Sequence, residues 1–284
     1  MMQATTKLRG ITGRRRNMIP LHIILIIGAI TMIFPFYWMI ITSFKTLGES
    51  IMVPPTMLPG SWAPTNYVEV LRTLPMWKLY FNTMLLIVLR ILCAVVFSSM
   101  AAFAFAKLRF PFKGTLFFIV ITQQMLPPQV YIIPQYLQLS KIGMLNTQFA
   151  LLYPGLVSAF GTFFLRQFYL SLPSELSEAA MIDGCNVGQT FVKILLPLTK
   201  TALMALSVFT AIFAYSEMMW PLIVNMKVDM MTLSAGISSL QNQYFTKYPL
   251  LMAGSAMAMI PMLILYLIFQ KQFIEGIALT GTKA

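Results

Sequence analysis

Charge is what this sequence has least of. Only 10% of its 284 residues are Asp, Glu, Lys or Arg, and 58% are hydrophobic. A soluble domain carries roughly 25% charged and 45–50% apolar residues. So little charge cannot cover a water-facing surface, which excludes a soluble enzyme and a disordered chain. Cysteine is also scarce. Cys93 lies in an apolar stretch and Cys185 in a polar loop, which excludes a disulfide scaffold. The single histidine, His22, has no second histidine or carboxylate cluster near it in sequence, so no metal or acid–base centre is expected. Acids number 8 against 20 bases, a net charge of +12. With a mean hydropathy of +0.77, lipid is the expected main solvent. The basic excess then reads as charge retained on one side of a membrane, not as nucleic-acid contact.

What is present is a set of long apolar runs. A spanning helix needs about 20 mostly apolar residues. Six stretches qualify: Met18–Thr42, Leu79–Ala106, Gly114–Ile133, Leu145–Leu165, Thr201–Asn225 and Tyr248–Gln270. Helices are expected because a spanning backbone must satisfy its own hydrogen bonds, and these runs are too long and continuous for barrel strands. The fold class is therefore an all-α membrane protein with six transmembrane helices. A basic leader, residues 1–17, precedes the first run with Lys7, Arg9, Arg14, Arg15 and Arg16. The run is too long for a signal-peptide core and lacks a small-residue cleavage site, so it reads as a retained anchor.

Orientation follows from the bases. The N-terminus, the Lys107–Lys113 turn, the Arg166–Lys200 loop and the C-terminus hold thirteen Lys and Arg; the opposite loops hold six, and Arg90 lies inside a span. The positive-inside rule places both termini and the Arg166–Lys200 loop in the cytoplasm of a plasma-membrane protein. The segment from Ser43 to Lys78 is rich in proline and tryptophan (Pro54, Pro55, Pro59, Pro64, Pro75, Trp62, Trp77). It reads as an ordered external loop near the interface.

The strongest local signal lies in the cytoplasmic loop, about residues 171–197. Pro173 and Ser174 open a helix with Glu175 in its first turn. Asp183-Gly184 is a turn signal, and a second short amphipathic helix runs through Phe191 and Ile194 to Pro197. Ala179 and Ala180 present little bulk, so a partner can approach. Glu178 and Asp183 offer charge to a basic one.

Glu178-Ala179-Ala180, then Gly184, then Ile194, Leu196 and Pro197 match the EAA loop of the membrane subunits of ABC importers without a gap. Seven fixed positions fall within twenty residues. The resemblance extends along nearly the whole chain to carbohydrate-type permeases, the maltose-transporter-like second membrane subunit in particular. It is carried by Phe81-Asn82-Thr83, the run from Ala101 to Phe110, Met125-Leu126-Pro127-Pro128, Ser158 to Gly161, Phe164 to Gln167 and Trp220-Pro221-Leu222. The chain departs from the family pattern at Thr201, at Tyr215-Ser216-Glu217 and at its Gly281–Ala284 tail.

This resemblance implies a type I ABC importer permease fold over residues 18–284 and a non-catalytic subunit with no catalytic residues of its own. It implies that a second homologous permease pairs with this one. It further implies that Glu178, Ala179, Ala180, Asp183, Gly184, Ile194, Leu196 and Pro197 dock an ATPase subunit dimer. An extracytoplasmic solute-binding protein would deliver a sugar or oligosaccharide. The chain has no GxxxxGK[ST] phosphate loop. No cofactor is expected on this chain, and ATP and Mg belong to the partner ATPase. Glycerol phosphate, another polyol or another small solute is an alternative substrate. An ion-coupled secondary transporter is a different class, and it would need a mid-membrane carboxylate or histidine relay.

Polar groups inside spans are costly in lipid. Arg90 and Glu217 are rare charges at comparable depth, and pairing would offset their cost. They read either as pathway or gate residues, or as a structural ion pair or snorkelling groups. Gln123 and Gln124 sit near the middle of the third run, where they can bind a sugar or join helices. Tyr215 and Trp220 can stack on a sugar or form an interfacial belt.

Overall fold

The computed structural model describes residues 19–241 and 245–281; the basic leader lies outside them. Every regular element among the described residues is helical. Among the described residues, three helices are long and apolar enough to cross a membrane unbroken: Pro20–Ser43, Met76–Lys107 and Tyr248–Gln270. Three further helix pairs among the described residues pass the same length and apolarity test together but are sharply bent. Lys113–Met125 meets Gln129–Lys141 at 103°, Gln148–Gly155 meets Ala159–Ser171 at 43°, and Val187–Leu198 meets Lys200–Ser216 at 76°.

The expected third, fourth and fifth runs are therefore not continuous helices, and each break has a local cause. Pro127 and Pro128 disfavour helical backbone before them, and Leu126 is extended at ψ 135°. Gln123 and Gln124 consequently sit in the last turn of a 13-residue helix, just before the 103° bend. The fourth span breaks after the Tyr153–Gly155 turn and restarts where the Ser158 hydroxyl caps Gly161 N–H. The fifth helix ends at Ser216, and Glu217 is extended. Pro221 explains this at a distance of four residues. It lacks the N–H that would bond the Glu217 carbonyl, and its ring would strike that carbonyl in a continuing helix. The chain resumes as Met219–Val224.

Three apolar clusters hold the bundle. Val70, Leu74, Leu79, Leu233 and Leu250 pack at the Met76 end of the second span. Leu86, Leu139, Leu151, Trp220 and Val224 form the middle. Ala94, Phe103, Leu165, Tyr169, Leu195 and Leu206 form the cluster at the Lys107 end. The last cluster joins spans two, four and five to the loop helix that carries Leu195.

Buried polar side chains staple the connections. Asn82 donates to the carbonyls of Asp229 and Met231, both at 2.9 Å, and Thr83 Oγ1 accepts from Leu233 N–H at 2.8 Å. Asn225 donates to Met230 O at 2.6 Å. The Asn82 and Thr83 bonds pin residues 229–233 onto the second span, the Asn225 bond closes the turn before them, and together they meet backbone groups away from water.

Candidate functional site

The loop after the fourth span folds as two short helices. Glu175–Ile182 carries Glu175 and Glu178 in its first turn, where carboxylates favour the helix dipole. It ends in a Schellman turn. Cys185 N–H reaches Ala180 O at 2.9 Å and Gly184 N–H reaches Met181 O at 3.0 Å, with Gly184 at φ +84°. A left-handed residue is what this turn requires. Asn186 starts the next helix with a reciprocal capping box, its Oδ1 accepting from Gln189 N–H and its own N–H bonding Gln189 Oε1, each at 2.9 Å. Residues Thr190–Leu195 are π-helical, and fully buried Leu195 roots the loop in the cluster of Phe103, Leu165 and Leu206.

Glu178, Ala179, Asp183, Gly184 and Pro197 are exposed, and Ile194 and Leu196 are half-buried. Ala180 differs from the expectation: it is buried, in a helix that packs against Thr190–Leu195. Its small side chain lets the two loop helices approach each other; it is not open to a partner. Sequence reasoning passed over Met181 and Ile182, 54% and 86% exposed. They are apolar residues at the tip of the turn and had a readable signal, two large aliphatics directly before Asp183-Gly184. Beside them a cavity of about 190 Å³ is lined by Phe103, Lys107, Arg109, Ser174, Ser177 and Glu178. Lys107 is anchored there by donating to Leu172 O at 2.7 Å.

The second constellation lies at the break in the fifth span. Arg90 Nη2 meets Glu217 Oε2 at 2.5 Å and donates to Leu151 O at 2.8 Å. Trp220 Nε1 donates to the adjacent carbonyl, Ala150 O, at 2.8 Å. Three spans thus meet at two neighbouring carbonyls and one ion pair. Gly155 makes room: a Cβ there would stand 2.7 Å from Arg90 Nε and 2.8 Å from its Cδ. A cavity of about 160 Å³ opens beside the guanidinium, lined by Arg90, Gly155, Ser158, Phe160, Thr210 and Phe213.

The other candidates separate from this centre. Tyr215 donates its hydroxyl to Ala258 O, and its carbonyl accepts from Ser234 Oγ at 2.7 Å. It borders a different cavity of about 370 Å³, with Phe36, Met39 and Ser255. Trp220 is buried and has no ring face free for stacking. Gln123 and Gln124 are exposed and line neither cavity.

Residues 94–278 match the model of the family described as binding-protein-dependent transport system inner membrane component. The chain belongs to this family. It is 31% identical over 254 residues to the arabinooligosaccharides transport system permease protein AraQ of Halalkalibacterium halodurans, covering 88% of this chain and 91% of the relative. It is 32% identical over 268 residues to the sn-glycerol-3-phosphate transport system permease protein UgpE of Brucella suis, covering 91% and 95%. Its fold is similar to a chain in the crystal structure of a bacterial ABC transporter involved in import of the acidic polysaccharide alginate. That match has a TM-score of 0.76 at 22% identity and covers 90% of this chain and 95% of the other. This is accordingly a membrane-spanning permease subunit of a binding-protein-dependent importer.

Proposed function

We propose that this permease forms half of the translocation pathway for a sugar or oligosaccharide and that its Glu178–Gly184 loop docks a separate ATPase. The observation that carries the reading is the loop itself. An EAA pattern is folded into a rigid turn, with Glu178, Ala179, Asp183 and exposed Ile182 facing outward and Leu195 rooted among the spans. ATP and Mg act on the partner. When the ATPase dimer closes, it displaces the turn, and the capped helices carry the displacement to Leu195 and so to spans two, four and five. Both termini face the cytoplasm, in keeping with thirteen bases on that side against six on the other. A second permease completes the pathway, and an extracytoplasmic binding protein supplies the solute.

The sugar assignment is supported by the similarity to AraQ. Glycerol phosphate is the competing substrate, favoured by the similarity to UgpE. Within the pathway, Arg90 and Glu217 hold the break in the fifth span beside the cavity at Gly155, and Tyr215 borders the other cavity. The purified importer complex with its binding protein, assayed for ligand-stimulated ATPase activity, separates the readings. Stimulation by a saccharide and not by glycerol 3-phosphate is expected. Stimulation by glycerol 3-phosphate alone would replace the sugar assignment.

A further inference from the structure

The connection after the first span turns back along the helix it has just left. Tyr37 donates its hydroxyl to Met57 O at 2.9 Å. Lys45 donates Nζ to Thr56 O at 2.5 Å and lies 4.4 Å over the Trp38 ring. Tyr37 precedes the end of the helix at Ser43 by six residues, about 9 Å along its axis. The headgroup layer on each side of a bilayer is roughly 5–8 Å thick. Residues 56 and 57 therefore return to the level of Tyr37 and Trp38, side chains of the kind that mark the membrane interface.

What the segment displays at that depth is apolar. Val53 is 94% exposed, and Ile51, Met52, Met57 and Leu58 are each more than half exposed. Part of its backbone is already relieved of the need for water. Pro54 and Pro55 have no N–H to leave unmet, and the carbonyls of Thr56 and Met57 both accept side-chain bonds. The polar groups gather at the base instead, where the Glu49 carboxylate accepts the N–H groups of Thr46, Gly60 and Ser61. The most apolar stretch of the neighbouring span is unburied within this chain, a surface that suits acyl chains beside the tip.

We propose that residues 51–58 form a wedge inserted in the interfacial layer of the leaflet at the Ser43 end of the first span, with lipid acyl chains as its partner. A solute-binding protein approaches loops from the water side; this tip points along the span, and its depth favours lipid. The proposal rests on the first helix spanning the membrane, not on the substrate or on which side faces the cytoplasm.

The test uses the full chain in its importer complex in phospholipid nanodiscs, with Cys93→Ala and Cys185→Ala. Nitroxide labels are placed singly at Val53→Cys and Leu58→Cys, at Ile30→Cys as the lipid reference and at Ser61→Cys as the water reference. All four positions are exposed, so the labels leave the packing intact. Collision with oxygen is compared with collision with a water-soluble nickel chelate. Labels at Val53 and Leu58 should favour oxygen several-fold, as at Ile30, while Ser61 favours nickel. If Val53 and Leu58 follow Ser61, the wedge is in water and the proposal fails. Shielding from both reagents overturns it equally, because a protein partner then covers the tip.

Discussion

Arg90 and Glu217 meet at 2.5 Å where the fifth span breaks. The arginine side chain is 9% exposed and the glutamate 26%, so each charge is met mainly by the other. Removing one partner of such a pair leaves a buried charge and costs about 3–5 kcal/mol. Arg90→Ala and Glu217→Ala should each lower complex yield or uptake sharply, towards the lower end of that range because Glu217 retains some exposure. The double variant should be milder than the sum, with a coupling of about 0.5–3 kcal/mol. Strict additivity in a thermal-melt cycle would dismiss the pair as a coupled unit.

Gly155 is the silent partner of that pair. Its absent Cβ is space that Arg90 Nε, Cδ and Cγ occupy, all within 2.9 Å. Gly155→Ala should displace the guanidinium and reproduce much of the Arg90→Ala defect. Combined with Arg90→Ala, the added methyl should cost little more. A Gly155→Ala protein with unaltered melting and uptake would show that the fourth span can shift away.

Gly184 lies at φ +84°, and a Cβ added there would meet nothing within 4 Å, so substitutions act through backbone conformation alone. Gly184→Val forces a β-branched residue into a left-handed turn at about 1–3 kcal/mol. It should depress uptake and ATPase coupling while insertion stays normal. Gly184→Asn tolerates this region and should retain most activity. Equal loss in both variants would point to side-chain bulk at the docking face instead.

Glu49 confers a pH dependence on the wedge. The Thr46 N–H bond holds its carboxyl below the usual carboxylate range, opposed by some desolvation and reinforced by the N–H groups of Ser61 and Gly60. A lowered folded pKa means the contribution is complete above the unfolded value, near 4.5, and fades as pH falls through the folded one. Proteolysis within residues 51–62 should therefore accelerate as pH drops below that window and be flat with pH in Glu49→Gln. An identical acid response in Glu49→Gln would assign it to another group.

Topology is open to direct labelling. In the Cys93→Ala, Cys185→Ala background, cysteines at Ser61 and Gln241 should react with an impermeant thiol reagent from outside, and one at Thr12 should not. The reverse pattern would invert the orientation and detach the EAA loop from the cytoplasm.

The elements legible in the sequence are those whose cause is local. Glu178 to Pro197 carry their pattern within twenty residues, and the turn at Gly184 follows from the residue type. Hydropathy locates six apolar runs, but it averages over windows and does not register breaks. Pro221 unseats Glu217 four residues earlier, and Pro127-Pro128 divides the third run outright. The Arg90–Glu217 approach is readable because two isolated charges at similar depth have few other partners. The place of Gly155 beneath Arg90 is not, since it depends on how two spans cross. Ala180 misleads for a similar reason. Which side of a two-turn helix is covered depends on the π-helical segment packed against it, not on the helix itself.

The 103° elbow after Met125 has a consequence for how the subunit stands in its membrane. Thirteen residues make about 20 Å of helix against about 30 Å of hydrocarbon. This wall of the bundle stops short, and irregular backbone at 126–128 lies within the thickness of the bilayer. Such backbone does not face acyl chains; it is found against protein or beside water. For this elbow, with exposed Gln123 and Gln124 beside it, protein or water is the fitting neighbour and lipid is not. The first helix contrasts with it: its side chains are mostly apolar and exposed from Pro20 through Tyr37 and buried only at Ile41, Thr42 and Ser43, so one part of the subunit suits lipid and another suits protein or water.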